Sequence, residues 1–190
     1  MIDWSTSVFC VQESKLKKQN QIKTPKAKNY SIFELHRKLI NGGGLCIGVH
    51  KDIPAVWIAG GDDEVECLEV EIWIDDFPVR VMVAYGPQVG DSLDRKRKFC
   101  EFIEKEADIA HTVGAGFILQ MDSNCHLGQE VIKNDVNEQN SNGKLVVQFL
   151  ERMSNLTLIN SLDLCEGTIT RMRKTLKGVE LSVLDVFVSC

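Results

Sequence analysis

The chain alternates short apolar runs with polar punctuation, and the spacing of its apolar positions changes along its length. Val8-Phe9-Cys10-Val11 lies inside an apolar run, Ser7–Gln12, that stops at Gln12-Glu13. Lys15–Lys28 is polar, holds six lysines and no acid, and reads as a loop. Ser31–Ile40 reads as a short helix or an irregular stretch, and Asn41-Gly42-Gly43-Gly44 as a turn. Leu45–His50 then reads as a strand. Three β-rich runs follow, Ala55–Ala59, Glu66–Ile74 and Val79–Ala84, with Asp75-Asp76 at a hairpin tip. In the second run Leu68, Val70, Ile72 and Ile74 alternate with Glu69, Glu71 and Trp73. That period of two predicts a strand with one face in water.

The period lengthens over Leu93–Ala110, where Phe99, Phe102, Ile103 and Ala107 fall on one helical face. Gly114–Leu119 returns to an apolar strand that runs through Gln120 into Met121-Asp122-Ser123-Asn124. Val131–Asn142 is a polar loop. Gly143–Met153 is a second helix, with Leu145, Val146, Phe149 and Leu150 inward. Leu156–Ile159, Thr168–Met172 and Leu184–Val188 read as the closing strands, with a basic segment, Arg171–Gly178, between the last two. Strands outnumber helices, and the helices follow a meander. The pattern predicts an α/β sandwich, with mixed sheets and helices packed outside them.

Composition narrows the class. At 190 residues the chain is long enough for one sizeable core and short for two domains. A hydrophobic fraction of 44% and a charged fraction of 26% are those of a soluble globular protein. No apolar run approaches the ~18 residues of a membrane span, and the start lacks the apolar core of a secretion signal. The net charge of −5 argues against a surface coated in basic charge. It leaves nucleic acid open, because basic residues can be confined to one face while carboxylates hold a metal. The seven cysteines form no CxxC pair. They read as reduced thiols of an intracellular protein, nuclear or cytoplasmic, rather than a disulfide frame or zinc site.

Chemistry concentrates at strand ends. Five of them carry polar groups: Gln12-Glu13, Tyr85-Gly86-Pro87, Asp122-x-Asn124, Thr168/Thr170-Arg171 and Asp185. Loops at one edge of a layered β protein collect functional residues. If these ends meet, carboxylates, an amide, a phenol and a guanidinium converge, which suits a hard divalent cation and a phosphate. Mg²⁺ takes oxygen ligands and keeps several waters, so one or two carboxylates suffice. The metal would polarise a phosphoryl oxygen, and a separate carboxylate would orient or deprotonate the attacking water. Each residue also has a plainer reading. Glu13 alone is a solvated acid, Tyr85 a turn aromatic, Asp122 and Asn124 turn formers, and His126 a loop histidine. Asp185, between Leu184 and Val186, is expensive to bury without a partner. The basic residues Lys15, Arg171, Arg173, Lys174 and Lys177 read either as solvated charge or as contacts to a DNA backbone.

Five short motifs together resemble the endonuclease/exonuclease/phosphatase superfamily in order and approximate spacing. They are Val11-Gln12-Glu13-Ser14-Lys15, Gly42-Gly43-Gly44-Leu45-Cys46-Ile47, Ala84-Tyr85-Gly86-Pro87, Met121-Asp122-Ser123-Asn124 and Ser182-Val183-Leu184-Asp185-Val186. The likeness covers nearly the whole chain. Asn142-Gly143-Lys144-Leu145 and Leu156–Asn160 resemble the endonuclease domain of LINE-type (non-LTR) retrotransposons, relatives of the apurinic/apyrimidinic endonucleases. The resemblance implies a DNase I-like four-layer α/β sandwich, two mixed β-sheets flanked by helices, as one domain spanning 1–190. It implies Mg²⁺, with Mn²⁺ as a substitute, and Glu13 as the metal ligand. Tyr85 would contact the scissile phosphate, Asp122 would orient or activate water, and Asn124 would stabilise the phosphoryl group. Thr170, with Thr168 as the other register, matches the late-loop threonine, and Asp185 the aspartate that orients a catalytic histidine. DNA is the implied partner, beside a reverse-transcriptase domain in a longer polyprotein. No membrane and no small-molecule cofactor are expected.

The chain also departs from the pattern. The superfamily's first, asparagine-bearing strand and its closing Ser-Asp-His strand have no match here. None of His36, His50, His111 and His126 lies in that context, and Met121 stands where a glycine is usual. Asp185 would lack the histidine that it orients, so DNA cleavage is expected to be impaired. Two alternatives stand beside the nuclease: a non-catalytic remnant binding nucleic acid or protein, and a phosphatase or lipid phosphodiesterase of the same superfamily.

Overall fold

The computed structural model describes residues 6–14, 25–36, 43–61, 64–132, 137–162, 171–175, 178–182 and 185–190. Three strands, β1 (Val8–Val11), β2 (Tyr30–Leu35) and β3 (Leu45–His50), form an antiparallel sheet in the order β1-β3-β2. The next strands are β4 (Ala55–Gly60), β5 (Glu66–Ile74) and β6 (Phe77–Tyr85). Helix α1 (Leu93–Thr112), strand β7 (Gly116–Asp122) and helix α2 (Ser141–Arg152) follow, then β8 (Thr157–Leu158). Strands β9 (Arg171–Thr175) and β10 (Gly178–Ser182) make a separate hairpin, and β11 (Asp185–Ser189) comes last.

Six strands form the larger sheet, ordered β4-β5-β6-β7-β11-β8. Strands β6 and β7 are parallel, joined through α1, and the other neighbours are antiparallel. A parallel pair places both C-terminal strand ends at one rim, so Tyr85 of β6 stands level with Asp122 of β7. Strand β11 enters between β7 and β8 and sets Asp185 opposite Asp122. Three sequence-distant positions thereby share one row.

The core has two parts. Leu45, Ile47 and Val49 of β3 pack against Leu68, Val70 and Ile72 of β5 and Val81 and Val83 of β6, joining the two sheets. On the other face of the larger sheet, Met82, Ala84, Phe117, Leu119 and Met121 meet Phe99, Ile103, Ala107 and Ala110 of α1. Val146 and Phe149 of α2 join them there. Both helices are capped as the chemistry of short polar residues predicts: Ser92 accepts from the Arg95 amide, and Asn140 from the Gly143 amide at 2.8 Å. Beside β2 packs a single 3-10 turn, Pro25–Asn29.

Two sequence expectations are corrected. Residues 30–35, expected as the start of a short helix or an irregular stretch, form β2, paired with β3 from Tyr30↔His50 to Leu35↔Leu45. Tyr, Ile and Phe suit a pleated surface, and the partner strand lies some ten residues on, beyond any local helical spacing. The face of β5 expected in water is covered at Glu69, beside α1, while Glu71 and Trp73 further along stay part-exposed. Glu69 is fully buried there, with Arg80 Nη1 at 3.7 Å from Glu69 and 3.9 Å from Glu106 of α1, and Arg80 Nε at 3.2 Å from Glu71. Alternation reports the two faces of a strand, not what later packs on them.

Candidate active site

The site is assembled at the C-terminal rim of β6 and β7 and the end of β1. The chain leaves β1 with Glu13 in the left-handed region, φ 49°, which turns the strand end sharply. The Ser14 amide then donates to the Gly44 carbonyl at 2.9 Å, and the Gly44 amide donates to the buried Glu66 carboxylate at 2.7 Å. Glu66 is paired with Tyr85 across β5 and β6. This path carries the end of the smaller sheet to the rim of the larger one. At its end the Tyr85 hydroxyl donates to Glu13 Oε1 at 3.2 Å, across 72 positions of sequence. Gly44 has φ +87°, and a Cβ there would meet Ser14 Oγ at 2.8 Å, so glycine is required.

On the neighbouring strand the Asn124 amide donates to Asp122 Oδ1 at 3.2 Å, an Asx turn with Asn124 at φ 46°. The Asn124 side chain donates to the Gly86 carbonyl at 2.8 Å, and the Gly86 amide donates to the Asp122 carbonyl at 2.7 Å. The turns after β6 and β7 are thus joined directly. Gly86 permits this approach, since a Cβ would lie 2.7 Å from the Ser123 carbonyl oxygen. Burial pushes the Tyr85 phenol above its ordinary pKa; the Asn124 amide opposes that shift, and the Glu13 and Asp122 carboxylates add to it. The phenol therefore stays protonated at neutral pH and serves as a donor.

Of the residues expected from the sequence, Glu13, Tyr85, Asp122 and Asn124 come together. The backbone of Asp185 stands opposite Asp122. Arg171, Arg173 and Lys174 lie on β9, and Arg171 pairs with Ser182 at the base of its hairpin. Lys15 and Thr170, with Thr168 and Lys177, fall outside the described residues. Of the histidines, His36 lies beside Glu34, His50 against Tyr30 and Asp52, and His111 in the last turn of α1, while His126 follows Asn124 by two residues on the loop leading to α2. Two further contacts were not expected. Gln88 Nε2 donates to the Tyr85 hydroxyl at 3.2 Å, and the Asn142 side chain donates to the Pro87 carbonyl at 2.8 Å. For Gln88 the signal was present, three residues past Tyr85. Asn142 opens the Asn142-Gly143-Lys144-Leu145 motif, but nothing in that motif points to Pro87.

The donor set suits a hard cation: Glu13 and Asp122 offer carboxylate oxygens, and Asn124 offers an amide beside them. Among the described residues no three of His, Cys, Asp and Glu gather as a closed metal cage. Nor, among these residues, is any helix long and apolar enough to cross a membrane.

Comparison with protein-family models and with curated proteins found no match. Solved structures do match. The endonuclease domain of TRAS1, a telomere-specific non-LTR retrotransposon, superposes with a TM-score of 0.65 at 13% identity, over 97% of this chain and 73% of that one. D. rerio TDP2 complexed with single-strand DNA product gives 0.65 at 13% identity, over 98% and 71%. The 3'-5' exonuclease NExo from Neisseria meningitidis gives 0.65 at 15%, over 96% and 76%. These are members of the endonuclease/exonuclease/phosphatase superfamily, and the chain shares their DNase I-like α/β fold.

Proposed function

We propose that this chain is a phosphodiester hydrolase that nicks DNA with a divalent cation, as the endonuclease part of a retroelement polyprotein containing a reverse transcriptase. The observation that carries the reading is the joining of Glu13, Tyr85, Asp122 and Asn124 at one rim, on three strand ends. The fold neighbours, among them a retrotransposon endonuclease domain, support the same reading.

Glu13 would hold Mg²⁺, with Mn²⁺ as a substitute, and the cation would supply polarisation of a phosphoryl oxygen. The chain's own groups do the rest. Asp122, its Oδ1 fixed by the Asn124 amide, orients a water and takes its proton. Tyr85, kept protonated, donates to a phosphate oxygen. The Asn124 side chain, anchored on Gly86, adds an amide donor for charge that grows on the phosphoryl group. Asp185, level with Asp122, belongs to the same row. Ser182 precedes Asp185 by three residues, which caps their separation at about 11 Å. Arg171, paired with Ser182, therefore starts its hairpin near the rim, where Arg171, Arg173 and Lys174 can meet a DNA backbone.

Supercoiled plasmid with Mg²⁺ tests the reading. We expect slow conversion to the nicked circle, abolished by EDTA and lowered by roughly 10²–10⁴-fold in Asp122→Ala. Slowness is expected because none of the four histidines lies in the Ser-Asp-His context that the superfamily resemblance implies. Salt-dependent DNA binding with no nicking, unchanged by Asp122→Ala, would sink the hydrolase and favour a nucleic-acid binding module.

A further inference from the structure

Two turns carry the rim, Gly86-Pro87 after Tyr85 and Ser123-Asn124 after Asp122. Where the paired strands end, their contacts are the Gly86 amide to the Asp122 carbonyl and the Asn124 side chain to the Gly86 carbonyl. A third tie comes from outside both turns. Asn142, in the first turn of α2 and buried, directs Nδ2 to the Pro87 carbonyl at 2.8 Å and towards the Asn124 carbonyl at 3.4 Å. One amide group spans the two turns, two residues past Tyr85 on one side and two past Asp122 on the other.

The orientation of that amide is forced. Turned over, Oδ1 would face two carbonyl oxygens and repel both. With Nδ2 in place, Oδ1 is buried with no hydrogen-bond partner among the described residues. A buried acceptor without a donor costs stability, which a residue serving the core alone would avoid. The platform behind it is stiff. Asn140 caps the helix on the Gly143 amide, and the Asn140 amide donates to the His126 carbonyl at 3.2 Å. Gly143 is so close to the same carbonyl that a Cβ would lie 2.0 Å from its oxygen. The first turn of α2 is therefore clamped onto the loop that follows Asn124, and Asn142 reaches from this clamp to Pro87.

We propose that Asn142 is a positioning residue: its single amide holds the Pro87 and Asn124 carbonyls, and with them Tyr85 and Asn124, at the spacing the phosphate requires. The inference rests on the hydrolase reading for its catalytic consequence, but not for its geometry. Misplacement of reacting groups by about 1 Å costs on the order of 10²-fold in rate. A residue that only filled the core would change the folded fraction and leave turnover per folded molecule alone.

The full chain is made as Asn142→Asp, which keeps the shape and removes the donor, and as Asn142→Ala, which folds even if a buried carboxylate does not. Two quantities are read. The first is plasmid nicking with Mg²⁺, resolved into kcat and KM per folded molecule. The second is hydrogen exchange of the Gly86 and Asn124 amides, with Met82 and Leu119 in mid-strand as internal references. We expect kcat to fall by roughly tenfold or more with KM within about twofold. The Gly86 and Asn124 amides should exchange at least roughly tenfold faster, with Met82 and Leu119 unchanged. Unchanged exchange at Gly86 and Asn124 overturns the proposal, whatever the activity. So does a raised KM with kcat intact. If the wild-type chain nicks no DNA, the hydrolase reading fails, and the exchange of Gly86 and Asn124 alone decides the role of Asn142.

Discussion

Carboxylates gather at two levels on and around the larger sheet, and the protein treats them differently. In mid-sheet, under α1, Glu69, Glu71 and Glu106 surround the guanidinium of Arg80. At the rim, Glu13 accepts from the Tyr85 hydroxyl, Glu66 from the Gly44 amide and Asp122 from the Asn124 amide. The first group brings its own cation and closes a layer. The second is held by neutral donors on sharply turned backbone, with Glu13 and Asn124 both at positive φ. Acids answered by an internal arginine build structure. Acids at the rim are instead held in place by hydrogen bonds from a phenol and backbone amides.

Removing Arg80 is the harshest way to break that contrast. Arg80→Ala takes the guanidinium from Glu69 and Glu71 and leaves Glu106 only Lys105, and we expect a loss of about 3–5 kcal/mol in urea unfolding. Nicking per folded molecule should stay unchanged. If it falls as well, the two levels are not separate.

A milder test uses pH. Burial raises Glu69 from 4.5 to about 8; Arg80 opposes the shift, and Glu106 and Glu71 add to it. The folded state therefore keeps a proton that the unfolded chain gives up above about pH 4.5. The resulting stability is fully present below that value and is lost as pH rises to about 8. We expect the unfolding free energy from urea titration to drop between pH 5 and pH 9 by on the order of 4 kcal/mol, with a lower midpoint, and the slope to flatten in Glu69→Gln. A wild-type midpoint that is level across this range would refute the buried, protonated Glu69.

The smallest effect belongs to the rim. Tyr85→Phe removes the hydroxyl that bonds Glu13 and accepts from Gln88. We expect nicking to fall roughly tenfold, with stability within about 0.5 kcal/mol of wild type, by parallel turnover and thermal-melt measurements. A large loss of stability would instead place Tyr85 with Arg80, as a structural group.

The sequence shows the rim better than the layer. Glu13, Tyr85, Asp122 and Asn124 are readable because each follows an apolar run and the four recur in a known order. Glu69 is not, because alternation along β5 is blind to the helix that comes from residues 93–112. Strand β2 is missed for a related reason: its hydrogen bonds are made to β3, not within its own segment. Asn142 is hidden because its partners lie 18 and 55 positions away. Short-range pattern reports local backbone preference, and these errors all come from long-range contacts.

Strand β11 pairs with β7 on one side and β8 on the other, and Val188 between them is fully buried. This strand, far along the chain from β7, thus occupies an inner place in the sheet rather than an edge. A growing chain can close β4 through β7 early, but a gap must be kept beside β7 until residues 185–189 have emerged. Pairing over 63 positions, from 122 to 185, is slow by nature. The row that holds Tyr85 and Asp122 is therefore complete only once this distant pairing has formed.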